Sequence, residues 1–267
     1  MPEGSRVLPA LRIWFCIEVL FASFGLVSVA YDPANSASNF AWSIQPPVTA
    51  AMIGGFYLAI APILILGIFA RSWERVRVVV IPALVFTAML LVATWLHWAS
   101  FRHGTPAFWL WYVSYFTPPF AFGILYLLQW RRQQAVPNHQ PMIVAFRSLL
   151  ILLGLLITAE GLYTFVNPAH FMAPQAFVIT PLTARTIAGW MTAVGLILLF
   201  SAAEGAFERV RIGAPFLILA LPCLWLQMAR FPDQVDWTHP RLLAMGAVLA
   251  LCTIVGLYMV RGLRLRN

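Results

Sequence analysis

Long apolar stretches alternate along the chain with short breaks of polar, charged or proline residues. Eight of the stretches are long enough to cross a hydrocarbon core as helices, which takes about 20 residues each. We place these predicted spans at 8–31, 48–70, 76–100, 107–130, 143–166, 183–204, 210–230 and 240–262. The breaks between them contain turn-forming or charged pairs such as Asp32-Pro33 and Arg131-Arg132. The pattern therefore predicts an all-α integral membrane protein with eight transmembrane helices.

The composition agrees with this prediction. Of the 267 residues, 61% are hydrophobic and only 10% are charged, whereas a soluble domain has about 25% charged residues. These values exclude a soluble enzyme of ordinary composition, a disordered chain and a disulfide-stapled secreted module. The lipid bilayer is the first partner we expect, and a bacterial cytoplasmic (inner) membrane is the expected location.

The arginines predict the orientation in the membrane. All 17 basic residues are arginine, and the net charge is +8. With the N-terminus in the cytoplasm, 13 arginines fall on the inner side, and the exceptions are Arg102, Arg185, Arg230 and Arg241. Positive residues favour the cytoplasmic side of membrane proteins, so we expect both termini there. The same distribution accounts for the positive charge without a nucleic-acid partner.

The two halves of the chain resemble each other at an offset of 134 residues. The clearest match aligns Trp-Glu-Arg-Val-Arg at 73–77 with Phe-Glu-Arg-Val-Arg at 207–211. Because each unit would have four spans, both copies enter the membrane in the same direction, and inverted repeats are excluded. The sequence thus predicts two parallel four-helix repeats, residues 1–135 and 136–267.

Two segments carry a resemblance to known proteins. The sequences Pro-Pro-Val-Thr-Ala-Ala-Met-Ile-Gly-Gly-Phe-Tyr at 46–57 and Pro-Leu-Thr-Ala-Arg-Thr-Ile-Ala-Gly-Trp at 181–190 are similar to segments of uncharacterised multi-pass bacterial membrane proteins, chiefly actinobacterial ones. The four-span unit also distantly resembles DoxX-like membrane proteins in its topology. The first resemblance implies a multi-pass membrane protein, and neither one assigns an activity or functional residues.

Two acidic residues lie inside predicted spans, where a mid-bilayer charge costs at least about 2.5–3.5 kcal/mol. Glu18, in the first span, has no obvious partner. It is either a proton or substrate site or a protonated, hydrogen-bonded side chain. Glu160 lies in the fifth span and Arg185 at the outer start of the sixth, within reach of each other. These two either form a structural pair or belong to a proton or substrate site.

A pair of prolines marks the fourth predicted span. Pro118 and Pro119 remove two backbone donors near its middle, and polar residues including Tyr112 and Tyr115 precede them. A discontinuous helix near the midplane points to a binding site, so we group these four residues with Glu18, Glu160 and Arg185 as a candidate substrate site. A kink that only improves packing is the alternative. The deeper tryptophans Trp14, Trp95, Trp190 and Trp225 either line a pocket or simply pack.

Histidines and cysteines give no metal or cofactor motif. The histidines near the predicted outer surface are His97, His103, His170 and His239, and His139 is cytoplasmic. Their spacing matches no metal site, haem would need a second buried histidine or a Cys-x-x-Cys-His motif, and the three cysteines show no pairing pattern. No catalytic motif is present. We therefore predict no metal, no cofactor and no catalytic residues.

Three classes of function remain. The first is a carrier or pocketed binder of a small or lipophilic solute, which would explain the polar groups inside the spans. The second is a structural or accessory subunit of a larger membrane complex, with other subunits or a second copy as partners. The third is a membrane enzyme that acts on a lipid or a quinone.

Overall fold

The computed structural model describes residues 5–133, 140–172 and 176–262. Over these residues the fold is helical, and the helices are Pro9–Gly25 (α1), Ser36–Asn39 (α2), Pro47–Phe69 (α3), Trp73–Leu96 (α4), Pro106–Trp130 (α5), Val144–Val166 (α6), Pro168–Met172 (α7), Pro181–Glu204 (α8), Phe207–Val210 (α9), Ala214–Met228 (α10) and Pro240–Arg261 (α11). A wider, π-helical turn at Leu26–Tyr31 continues α1. The predicted repeat boundary at 135/136, His139 and the last two arginines lie outside the described residues.

Within the described residues, six helices are long and apolar enough to cross a membrane: α1 with its π-helical turn, α3, α4, α6, α8 and α11. The all-α prediction is confirmed, and the bundle has the apolar character of a membrane-embedded protein. The predicted seventh span, 210–230, is wrong in its bounds, because a turn at 211–213 separates α9 from the 15-residue α10. Pro215 lies in the first turn of α10, where its missing N–H and fixed φ suit a helix start.

Helix α5 is continuous over 25 residues, although it contains Pro118 and Pro119. The predicted break in this helix is therefore wrong. Hydroxyl groups beside the prolines add hydrogen bonds to the helix backbone: Thr117 Oγ1 donates to the Val113 carbonyl at 2.8 Å, and Ser114 Oγ donates to the Leu110 carbonyl at 2.6 Å. The prolines leave the Ser114 and Tyr115 carbonyls without their usual backbone donors, and the helix stays continuous although these two hydroxyl bonds go to other carbonyls.

The bundle has an inner and an outer layer. In α8, 72% of an 18-residue apolar stretch is buried inside the protein, whereas the corresponding share is 28% in α6 and in α11. Helix α3 packs against α10 and α4 packs against α8, so these four helices form the centre. Helix α1 packs on α3, α5 on α4, α6 on α8 and α11 on α10. Large apolar side chains cover the outward faces of the outer helices, as expected for a surface in lipid.

Backbone hydrogen bonds recur at positions about 134 residues apart. Trp73 N donates to the Ser5 carbonyl at 2.9 Å, and Phe207 N donates to the Gln140 carbonyl at 3.0 Å. A second pair of bonds joins Val7 N to Arg71 O and Met142 N to Gly205 O. A third joins Arg102 N to Ala41 O and Asp236 N to Ala176 O. The helix pairs α1–α3 and α6–α8 occupy equivalent places in this scheme, as do α4–α5 and α10–α11.

The two equivalent helix pairs differ in what lies between them. In α6–α8, a Cβ added to Gly154 would lie 2.9 Å from the Gly195 carbonyl oxygen, so the backbones are in direct contact. In α1–α3, a Cβ added to Gly25 or Gly67 would instead meet an aromatic ring, that of Tyr57 or Phe15. Aromatic side chains thus fill the contact at Gly25 and Gly67, and a cavity lies beside them, whereas at Gly54 the backbone of α3 directly touches that of the π-helical turn.

Candidate functional site

A cavity lies among α1, α3, α4, α5 and α8. Its volume is about 80 Å³ when traced by the centre of a water molecule, and the empty space between its lining atoms is about 820 Å³, part of it open to the outside. One water needs about 10–15 Å³ on the first measure, so several waters or a small organic molecule fit. Most of the lining is apolar, and Glu18, Tyr57, Tyr115, Thr87 and Ser114 are the hydroxyl- and carboxyl-bearing residues in it.

Glu18 brings the only charged group to the described lining of this cavity. It lies roughly 14 Å along α1 from Pro9, at 1.5 Å per residue, which places it near the middle of the helix and its π-helical extension. The side chain is buried with 9% of its surface exposed, and its Oε1 atom has no hydrogen-bond partner. Trp14, one turn earlier, interacts with the carboxyl group, but its indole N–H does not reach hydrogen-bonding geometry. A buried carboxyl with an unused oxygen therefore faces the cavity.

Two tyrosines form the second polar feature of the cavity. The hydroxyl oxygens of Tyr57 on α3 and Tyr115 on α5 are 2.7 Å apart. Their hydrogen bond uses one of the two hydroxyl protons, since each hydroxyl has one proton to donate. The Tyr115 hydroxyl also interacts electrostatically with Glu18. The three residues lie near the middle of their helices, so a carboxyl group and two phenols meet at one depth.

Aromatic rings make up much of the remaining wall. The rings in the lining are those of Phe15, Phe21, Phe24, Phe86, Phe122 and Trp190, together with Trp111. The Phe86 and Trp190 ring centroids are 4.2 Å apart, and Trp190 also contacts Tyr57 edge-on at 5.6 Å. Trp111 donates its N–H to Thr94 at 3.0 Å, whereas the buried indole N–H of Trp190 has no acceptor. The walls thus offer apolar aromatic surfaces, and one buried indole N–H in a lining residue has no acceptor.

The structure brings two of the seven predicted site residues, Glu18 and Tyr115, into this cavity. Pro118 is buried and Pro119 half-buried on the same helix, outside the described lining. Tyr112 lies toward the start of α5, where its ring stacks on Phe108 at 5.9 Å. It belongs to an aromatic cluster at that end of the bundle rather than to the cavity wall.

Glu160 and Arg185 make separate contacts. Arg185 Nη1 lies 2.6 Å from His97 Nε2, and its Nε donates to the Phe165 carbonyl at 3.0 Å. Glu160 Oε1 lies 3.3 Å from His170 Nε2, and the Glu160 side chain is 45% exposed. The predicted structural pair of Glu160 with Arg185 is therefore wrong, because Arg185 turns toward α4 and Glu160 toward α7.

His97 follows the last residue of α4 and accepts a hydrogen bond from Arg185. An arginine can only donate, so the histidine must present an unprotonated nitrogen to it. Burial, and then the positive charge of Arg185, lower the pKa of His97. The His97 ring is thus held neutral by its surroundings at this end of the bundle.

Metal-binding residues are dispersed in the part of the chain that the structure describes. Over residues 5–133, 140–172 and 176–262, no three His, Cys, Asp or Glu side chains come together to hold a metal ion. Histidines 97 and 170 each face a single charged partner. Among the described residues, the carboxyl and hydroxyl groups of the cavity are the main grouping of polar chemistry inside the bundle.

Sequence analysis did not single out several residues of the cavity. Tyr57 and Phe86 were missed, and Trp190 was noted only as a deep tryptophan. A polar atom in the middle of an otherwise apolar span is the signal that marks Glu18, and the same signal applies to Tyr57. The ring of Phe86 carries no such signal, because a phenylalanine is ordinary in any span.

No known protein family matches this chain, and neither a curated protein nor a solved structure shows significant similarity to it. The resemblance to DoxX-like proteins therefore stays a prediction. The functional interpretation depends on the cavity itself.

Proposed function

We propose that the protein is a carrier that binds a small lipophilic solute in the cavity beside Glu18. In this proposal it spans the cytoplasmic membrane of a bacterium eight times, as two parallel four-helix repeats with both termini in the cytoplasm. The observation that carries the functional part is the buried Glu18 carboxyl, which faces an aromatic cavity without a partner for one of its oxygens.

Several features support the eight-span topology. Helix α5 has 25 residues, or roughly 37 Å at 1.5 Å per residue, which exceeds the hydrocarbon thickness. Helix α10 has 15 residues and is preceded by α9. The recurring backbone hydrogen bonds support a duplicated unit, and the predominance of arginines on one side supports the orientation.

Burial of a carboxyl group with one oxygen that lacks a hydrogen bond supports a binding role. A buried polar group that lacks a hydrogen bond costs free energy, and an ionised one costs far more. Intramembrane ionisable residues accordingly mark ion, proton or substrate pathways. A purely structural bundle gains nothing from Glu18, because an apolar side chain would fill the same place without this cost.

The comparison of the two halves supports the same conclusion. At an offset of 134, Tyr57 corresponds to Met191 and Tyr115 to Leu249. Glu18 corresponds to Leu152 at the same offset. At the offset of 135, which aligns the end of this helix with the end of its counterpart, it corresponds to Leu153. The carboxyl group and both phenols thus belong to the first half alone. At these three positions the first half carries polar groups, and the second half carries apolar residues.

A cavity-filling substitution tests the proposal. Ala83 lines the cavity from α4, whereas Ala88, on the same helix and also half-buried, is outside the described lining. The probe is neopentylbenzene, a neutral aromatic compound. A ligand that binds the folded state raises its stability. We expect the probe to raise the Tm of the purified wild type and of Ala88→Leu, in steps that grow with probe concentration, but not that of Ala83→Leu.

Both variants add the same side chain to the same helix, so a general effect of the larger residue would appear in both. A Tm rise of equal size in Ala83→Leu would show that the probe binds elsewhere. The absence of any rise in the wild type would contradict binding of lipophilic solutes in this cavity.

A further inference from the structure

We infer that the solute of this cavity is a lipophilic organic cation, and that Glu18 releases its proton when the cation binds. This inference rests on the proposed function and names the substrate class of the same site. It follows from the charges, the proton donors and the ring faces that surround Glu18.

The surroundings of Glu18 contain no fixed cation among the described residues. From its own helix Trp14 faces the carboxyl, from α3 Tyr57 and from α5 Tyr115, and all three are neutral donors. The residues described in the lining from α4 and α8 have no titratable side chain. A buried carboxylate without a counter-charge is strongly disfavoured. Before a cation binds, the carboxyl group therefore holds its proton.

A bound cation changes this balance. An opposite charge within about 4–6 Å favours the ionised form of a carboxyl group. The step is an exchange: the O–H bond of the Glu18 carboxyl breaks, the proton leaves to water, and the carboxylate pairs with the cation. The charge in the cavity is zero before and after the exchange, so a net charge is never left in the apolar interior.

The walls of the cavity suit a cation with an apolar body. Faces of aromatic rings attract a cation within about 6 Å of the ring centroid, and tryptophan does so best. Trp190, Phe86 and Trp111 contribute aromatic rings to the lining. These rings also exclude strongly hydrated ions, since they offer few hydrogen bonds in exchange for water. A quaternary or aromatic ammonium, which is weakly hydrated, loses little on entry.

A matched pair of probes tests the inference: benzyltrimethylammonium, a cation, and neopentylbenzene, its neutral isostere. Binding to the purified full-length protein is measured by calorimetry in two buffers of different ionisation enthalpy, which gives the number of protons released. We expect wild-type protein to release about one proton for each cation bound and none for the neutral probe. Glu18→Gln should release no proton and bind the cation at least about tenfold more weakly than the wild type does, while neopentylbenzene still binds to it.

The neutral probe also shows that Glu18→Gln is folded. Glu160→Gln is the control, because Glu160 is half-exposed and pairs with His170 away from the cavity, and it should release the proton as the wild type does. Two outcomes would overturn the inference: binding of the neutral probe without binding of the cation, and cation binding without proton release. Neither outcome would contradict the proposed binding of lipophilic solutes in the cavity. Failure of both probes to bind the wild type would overturn the proposed function as well.

Discussion

Tyr57 and Tyr115 join α3 to α5 through their hydroxyl groups, 2.7 Å apart in the buried wall of the cavity. Either oxygen can be the donor, so the pair can reverse its hydrogen bond without moving a heavy atom. A hydroxyl group left behind after loss of its partner is a buried polar group without a hydrogen bond. Such a group costs about 1–3 kcal/mol, whereas removal of both partners is nearly neutral.

This relationship predicts non-additive effects of two conservative substitutions. We expect Tyr57→Phe and Tyr115→Phe each to lower the free energy of unfolding by about 1–2 kcal/mol, because each leaves the other hydroxyl unpaired. The double variant should cost less than the sum of the single ones. A double-mutant cycle measured by unfolding in mixed micelles gives the coupling energy. Strict additivity would show that the hydrogen bond does not contribute to stability.

A second prediction concerns the ion pair between α4 and α8. Arg77 binds both carboxylate oxygens of Glu204, with Nη2 at 2.6 Å from Oε2, and Arg209 Nη1 lies 3.5 Å from the same oxygen. Glu204 is 9% exposed and therefore poorly screened. We expect Glu204→Gln to lower the free energy of unfolding by about 2 kcal/mol, since it weakens charge-assisted bonds to two arginines.

Arg77→Gln should cost less than Glu204→Gln, because Glu204 then keeps Arg209. Arg75→Gln is the matched control, since Arg75 is exposed two residues earlier on the same helix, and we expect little change there. Chemical unfolding of the three variants under the same conditions gives the order of their losses in free energy of unfolding. Equal losses for Arg75→Gln and Glu204→Gln would contradict a specific role of the pair.

Sequence reasoning found the helical class and the central carboxyl group for a clear physical reason. An apolar run long enough for a bilayer is visible without any tertiary information, and a carboxyl group inside it has no ordinary explanation. Glu18 could therefore be found from the sequence. Its neighbour Tyr57 could not be ranked, because tyrosine is tolerated at many depths and only the packing shows which face of α3 meets α5.

The predicted pair of Glu160 with Arg185 failed because the sequence does not fix the rotation of a helix about its axis. Arg185 and Glu160 lie at compatible depths, but on α8 the direction of Arg185 brings it to His97 of α4. Because such a span is apolar on nearly all sides, the pattern of its residues along the sequence does not indicate in which direction Arg185 points. The predicted break at Pro118 failed for another reason: a helix can lose two backbone donors to proline and remain continuous, as α5 does.

The Arg185–His97 contact predicts a pH dependence of stability. Burial and the charge of Arg185 lower the pKa of His97 in the folded state, below the value of about 6.5 expected in the unfolded chain. Between these two values the unfolded state binds more protons, so stability rises with pH. The contribution of neutral His97 to the stability of the folded state is complete above about pH 6.5, and it is lost as the pH falls from there toward the folded-state pKa.

The substitution His97→Gln isolates this contribution, because the amide oxygen of the introduced glutamine can still accept from Arg185 but does not titrate. We expect the Tm of the wild type to fall more steeply than that of the variant as the pH decreases below about 6.5. The other titratable groups are the same in both proteins, so the difference between the two curves reports His97. Parallel curves would contradict the prediction.

The last prediction joins proton release to transport. If Glu18 exchanges one proton for one cation, a pH gradient across a vesicle membrane drives the cation toward the acidic side, where protons displace it from the cavity. We expect acid-loaded proteoliposomes to accumulate benzyltrimethylammonium with wild-type protein and with Glu160→Gln. With Glu18→Gln, uptake should lose its dependence on the pH gradient, because glutamine cannot release a proton. Gradient-driven uptake by Glu18→Gln would place the coupling at another residue, whereas cation binding without uptake in the wild type would restrict the protein to a binding role.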